Sequence, residues 1–466
     1  MNRAMLKTIL LLAWPAMVEQ ALQTVVQYAD SAMVGHIGVQ ATAAVGLTST
    51  VTWLTNSPIW AMGTGVLAVI ARSVGAKDER KTRSAAQMGI WIALIMGAIM
   101  LLITECIAPF LPKWLGADPA IHRNGSLYYA IICAPMIFRA LSMVMGSALR
   151  ASGNTRTPMR VNLGMNAINV VLNFFLIFPS RTSSLFGVSL WIPGAGWGVI
   201  GAAIATAVSV TFSGSMMLCK VLRSPVLSPR GLKTRWDAPV LRECVRIGLP
   251  VALQNIGVFT GHVVFSAQVT SLGTTALATH SIALTAEQAF YIPGYGMQAA
   301  ASTLCGIALG ERNEDKLDRT SRMSLLLSMG MMVLTGGFLF AFPALMMSIF
   351  TKDPLVIAGG AVVLRIVACS EPLYAAMIIF EGIFHGVGQT RYPFVVSLIT
   401  MWGVRILGTI ICVRAFHLGL PAVWLCMVGD NVSRAALLGV RYFSGRWKRT
   451  LGLTAVNDQS TPQKSY

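Results

Sequence analysis

Acidic residues are scarce in this chain. It holds 18 Asp and Glu against 36 Lys and Arg in 466 residues, and only 12% of its positions are charged. An ordinary soluble domain carries about 25%, so a water-facing globular surface is excluded. The eight cysteines form no CxxC pair, and the six histidines form no cluster with them. That speaks against a disulfide framework or a metal site and for small buried hydrophobes. No P-loop and no Ser/His/Asp constellation occurs, so neither an ATP-driven pump nor a hydrolase is expected.

What the chain has instead is apolar length: 55% of it is hydrophobic. Runs long enough to cross a bilayer recur at 8–35, 45–71, 86–112, 126–149, 158–180 and 196–219, then at 245–272, 279–308, 324–350, 356–386, 393–416 and 419–440. The expectation is an all-α integral membrane protein of about twelve transmembrane helices. The first run is too long for a cleaved leader and feeds into further spans.

The excess of positive charge follows this pattern. With the N-terminus inside, 27 of the 36 Lys and Arg fall in inner segments and five in outer ones (Lys113, Arg123, Arg181, Lys352, Arg414). The other four, Arg139, Arg365, Arg405 and Arg434, lie within helices. This is a positive-inside distribution, with both termini cytoplasmic in a cell inner (plasma) membrane. The net charge of +18 is therefore topology and contact with anionic lipid, not a nucleic-acid groove.

The longest polar interruption, 220–244, divides the chain into a first six-helix bundle (1–219), a cytoplasmic linker, a second bundle (245–443) and a tail (444–466). The two halves repeat at an offset of 235. Pro15 matches Pro250, Gly38 Gly273, Pro58 Pro293, Gly75 Gly310 and Asp118-Pro119 Asp353-Pro354. Gly153-Asn-Thr-Arg156-Thr-Pro158 likewise matches Gly388-Gln-Thr-Arg391-Tyr-Pro393. Six helices is an even number, so both bundles insert the same way and their pseudo-two-fold axis runs along the membrane normal.

Within the first run, Glu19 and Asp30 are eleven residues apart, hence about 20° apart around a helix, and Gln23 lies on the same stripe. An ionisable stripe at membrane depth faces protein or water and is functional by default. Asp30 is thus the first candidate for a proton or coupling-ion site, with a structural hydrogen-bond network as the alternative. In the second half, Glu287 and Glu371 are candidates for cation contact. Glu371 has Arg365 or Arg405 as a possible partner, and Glu381 belongs with the Gly388 turn. Asp430 and Arg434, four apart, suggest a local ion pair. His262 reads as packing.

The stretch WPAMVEQALQTVVQYADSAMVGHIG, the paired SALRASGNTRTPM and GIFHGVGQTRYPF, and the NVVLN run ending at Asn173 resemble the multidrug and toxic compound extrusion (MATE) transporters over residues 6–443. The resemblance implies two bundles around a cavity that exports organic cations and amphipathic compounds against inward protons or sodium. It needs no further cofactor and implies small-molecule and lipid partners and a monomer. The family's helix-1 proline and acid fall on Pro15, the helix-bending position, and Asp30. Its helix-5 pair falls on Asn169 and Asn173. Because Asn173 is an amide where some relatives have an acid, protons are favoured over sodium. The family's helix-7 glutamate is absent, with Val258 at that position. Glu19 joins the coupling candidates, and Gln23, Tyr28, Glu287 and Glu371 the cavity candidates. The alternatives are a lipid-linked flippase of the same superfamily and a membrane receptor or channel.

The charge asymmetry predicts that a cysteine introduced at Ser228 resists an impermeant thiol reagent applied to intact cells. It should react once the membrane is permeabilised; labelling of intact cells would invert the topology.

Overall fold

The computed structural model describes residues 3–35, 37, 39–115, 119–185, 188–232 and 236–452. It is built of helices: α1 (Arg3–Gly35), α2 (Val39–Gly75), α3 (Glu79–Ile107), α4 (Pro119–Cys133 and Met136–Ala151), α5 (Arg156–Ile177) and α6 (Gly198–Leu222). They recur as α7 (Ala238–Thr270), α8 (Thr274–Gly310), α9 (Glu314–Ala341), α10 (Pro354–Ala368 and Glu371–Gly386), α11 (Arg391–Ala415) and α12 (Leu420–Phe443). Nine of the described helices are apolar and long enough to cross a membrane, or eleven when each of the bent pairs, α4 and α10, is one span. The 37-residue α8 completes the twelve. The chain is a multi-pass membrane protein.

The repeat is visible helix by helix. From α1 to α4 each start recurs 235 residues later in α7 to α10, and Arg156 at the head of α5 recurs as Arg391. Both α4 and α10 are broken in the middle, by 45° and 54°. The breaks fall beside Pro135 and Pro372, where proline withholds a helix hydrogen bond. After each broken helix a left-handed glycine, Gly153 (φ 84°) or Gly388 (φ 78°), ends the turn. The next amide reaches back five residues, Asn154 to Leu149 and Gln389 to Phe384. This is a Schellman end, so the repeated GNTR and GQTR motifs shape helix termini. Asp78 and Asn313, also 235 apart, each cap the following helix by accepting from the amide three residues on.

The offset drops from 235 (Arg3 to Ala238) to 222 (Gly198 to Leu420) after α5 and α11. The difference lies in a feature that the apolar pattern did not predict. An antiparallel hairpin, β1 (Pro179–Leu185) with β2 (Val188–Ala195), joins α5 to α6, whereas only residues 416–419 join α11 to α12. The linker is also shorter than expected, because α6 runs to Leu222 and α7 begins at Ala238. The Asp118 and Gly38 members of the repeat lie outside the described residues, as does the tail beyond 452.

Two compact units form. One comprises Met1–Ala13, Ala71–Lys77 and Gly257–Tyr466; the other comprises Trp14–Ile70 and Asp78–Ile256. The repeat is a unit of sequence, but α1, α2 and α7 each contribute to both compact units. In the first unit the ends of α2 and α8 meet reciprocally. A Cβ on Gly75 would run into the Ile307 carbonyl, and one on Gly310 into the Arg72 carbonyl. Residues 72 and 307 are themselves related by the offset, so this is one symmetric crossing that needs glycine on both sides.

Gly75→Ala and Gly310→Ala should therefore each destabilise the protein. The gain of about 1 kcal/mol in helix propensity is outweighed by a backbone clash that no rotamer relieves; overpacking alone costs about 1–3 kcal/mol. Gly330→Ala, with open space around it, should be neutral or stabilising. Thermal unfolding in detergent, followed by size-exclusion profile, measures the contrast.

Candidate functional site

The α1 stripe meets a stripe of amides on α5. Asn162, Asn166, Asn169 and Asn173 are spaced four, three and four apart, which puts them on one helix face. All four are buried, Asn173 to 1% exposure. Asn173 donates through Nδ2 to Asp30 Oδ1 at 2.6 Å. In the orientation that satisfies both ends of its amide, Asn169 donates to Asp30 Oδ1 at 2.9 Å and Oδ2 at 3.2 Å, and accepts from Thr206 Oγ1 of α6 at 3.3 Å. Such orientations follow from the hydrogen-bond network. Asp30, Asn169 and Asn173, singled out in the sequence, are thus brought together. Thr206 was not anticipated: a lone threonine in an apolar helix carries no signal. Among the described residues no Lys or Arg pairs with Asp30.

Glu19 is placed elsewhere, about three turns along α1. It accepts from Asn162 Nδ2 at 2.7 Å and faces Arg150 of α4 at 3.6 Å. Arg150 also donates to Ser147, and Ser213 of α6 donates to Asn162 Oδ1. Gln23 is exposed, Tyr28 half-buried and Pro15 buried inside α1.

In the second half, Asp430 is fully buried between two arginines. Arg405 of α11 approaches it at 2.9 Å and Arg434 at 3.1 Å. Arg405 also reaches Asn431, and Arg434 reaches Thr400. The expected pair of Asp430 with Arg434 is present, and Arg405 joins it. This corrects the expectation for Glu371, because Arg405 is engaged with Asp430 and Arg365 is exposed. Glu371 is itself fully buried, and neither of its oxygens has a hydrogen-bond partner among the described residues. Glu381 accepts from Ser397 at 3.2 Å and lies 3.9 Å from Arg434. Glu287 is buried on α8. One turn further on, Tyr291 packs against Tyr295 and Tyr374, and the two last hydroxyls are 3.2 Å apart.

Chemically, the site around Asp30 is an acid held by neutral amides, one of which is anchored by the Thr206 hydroxyl. A carboxylate so held can take up and release a small cation, which one already paired with arginine does far less readily.

Comparison with known proteins accords with this architecture. A family model described as MatE matches residues 15–175 and 250–411, two segments whose starts are one repeat apart. The chain is 29% identical over 451 residues to a probable multidrug resistance protein NorM of Thermotoga maritima, covering 96% of this chain and 94% of that one. It is 24% identical over 413 residues to the multidrug resistance protein PmpM of Pseudomonas aeruginosa, covering 86% and 83%. Among solved structures, a MATE protein in a bent conformation superposes with a TM-score of 0.86 at 22% identity, covering 96% of this chain and 97% of that one. A transporter of the MOP superfamily from Pyrococcus furiosus gives the same score and identity, covering 96% of each chain.

The two acids, Asp430 paired with arginines and Asp30 held by amides, should respond differently to substitution. Asp430→Ala leaves two buried guanidinium groups without a carboxylate and should cost about 3–5 kcal/mol. Asp30→Asn keeps an oxygen to accept from both asparagines and should change stability by about 1 kcal/mol or less. Thermal melts of the two purified variants would check the difference.

Proposed function

We propose, from the premise that this chain belongs to the MatE family of transporters, that it is a secondary multidrug antiporter. It exports organic cations or other amphipathic compounds in exchange for protons. The observation that carries the reading is the carboxyl group of Asp30, half-buried within a membrane helix and, among the described residues, bonded to the amides of Asn169 and Asn173 with no Lys or Arg beside it. Such a group is expensive to keep in a membrane and is retained where ions move. The relatives NorM and PmpM, by their names multidrug resistance proteins, support the substrate class. Protons are preferred to sodium because Asp30 is the single carboxylate of its cluster, whereas sodium sites draw on more oxygen ligands of higher charge.

On this reading ion coupling resides in the first bundle. The second, with Glu287 and Glu371 beside a tyrosine cluster, contributes contacts to the cationic substrate. The protein works as a monomer in the inner membrane, with both termini cytoplasmic.

Liposomes reconstituted with purified protein test this directly. An inward proton gradient should drive organic-cation transport, with proton movement in the opposite direction. Asp30→Asn should abolish the coupled flux, since an amide cannot titrate. Asn169→Ala and Asn173→Ala should shift the pH at which transport is half-maximal, because they remove the partners of the acid. Glu287→Gln should change which cations are carried and leave the pH profile in place. The reverse pattern would move coupling to the second bundle.

A further inference from the structure

The buried polar groups between α1 and α5 continue beyond the Asp30 cluster. The bonds Asn162–Glu19 and Asn173–Asp30 each join residues 143 apart in sequence. The two helices therefore run side by side in constant register from one acid to the other, about 16 Å at the helical rise. Between the two rungs stands Asn166, 6% exposed, whose Nδ2 has no hydrogen-bond partner among the described residues. The same register of 143 sets it level with Gln23. Burying an amide donor without a partner costs about 1–3 kcal/mol, and apolar residues would fill this seam more cheaply.

We propose that the α1–α5 seam is the proton's exit route, with Asn166 as its middle station and Glu19 as a second proton acceptor gated by Arg150. The proposal rests on the reading of Asp30 as the coupling acid. A proton leaves the Asp30 carboxyl, is carried by water along the amide stripe, and is taken up by the Glu19 carboxylate. Asp30 is left ionised and Glu19 neutral. Neutral Glu19 no longer holds the Arg150 guanidinium, which at 3.6 Å makes a loose pair. Release of the proton from the N-terminal end of α1 restores that pair, so Arg150 acts as a resident cation that the proton displaces. The titratable and charged groups facing the seam come from α4: Arg150 at Glu19, and Tyr128, which lies in the fields of both Asp30 and Arg139. From α6, among the described residues, come the hydroxyls of Ser213 and Thr206.

The test uses the full-length protein in liposomes, with ethidium as transported cation and a lumenal pH dye as second readout. Asn166→Leu closes the seam with an apolar side chain of similar size. The pair Glu19→Gln with Arg150→Gln removes the second acceptor and its counter-charge together, so that no buried charge is stranded should a single change fail to fold. Each should slow proton-driven ethidium transport about tenfold or more and leave ethidium binding within twofold of the parent. Each should also abolish the dependence of rate on pH at the side bearing the N-terminus, a change that loss of packing alone would not produce. Parental rates and pH dependence in both would overturn the proposal. Asp30→Asn, measured alongside, separates the two levels. If it is inactive while the seam variants are normal, only the exit route fails. If it transports normally, the reading of Asp30 fails beneath it.

Discussion

An ionised side chain taken out of water loses several kcal/mol of hydration, and every acid in these helices has to make that up locally. The fold contains graded solutions. Asp430 has two arginines within about an ion-pair distance, and removal of such a partner is among the costliest changes a core can suffer. Glu19 has one arginine, more distant, and one amide. Among the described residues Asp30 has amides alone, each charge-assisted bond being worth about 1.5–3 kcal/mol. The first arrangement is a strut. The last leaves room for a mobile positive charge, and the middle one lies between them.

The duplication shows how one backbone came to hold opposite polarities. Asp30 corresponds to Phe265 at the offset of 235, and Asn169 to Val404. Within Thr400–Ile406 the second-half helix loosens into a π-helical stretch, and π-bulges re-aim the side chains that follow. Arg405, one residue past the counterpart of Asn169, lies in that stretch, and its guanidinium sits 5.6 Å from the centre of the Phe265 ring. Where the first half has an acid waiting among amides, the second has a permanent cation over an aromatic face, balanced by Asp430. The glycines and caps that set the helix ends stayed the same, because they answer to backbone geometry and not to charge.

Much of this was determined by the sequence alone. Apolar length, proline and glycine placement and cap residues act within one or two helical turns, so the number of helices, their approximate ends and the 235-residue repeat can be read without coordinates. So could Asp30 and its two asparagines, since a polar stripe in an apolar helix stands out by itself and a known family pattern supplied the partner. The tertiary structure decided which charges meet. Arg150 is 131 residues from Glu19 and Arg405 is 25 from Asp430. Thr206 reaches the Asp30 cluster from a helix with no local sign of it. The β1–β2 hairpin was not anticipated because β1, PSRTSSL, is almost wholly polar and gives no apolar alternation to pair with β2. Pairing across helices depends on packing register, here the constant 143 between α1 and α5, and that is set by all the side chains along the seam at once.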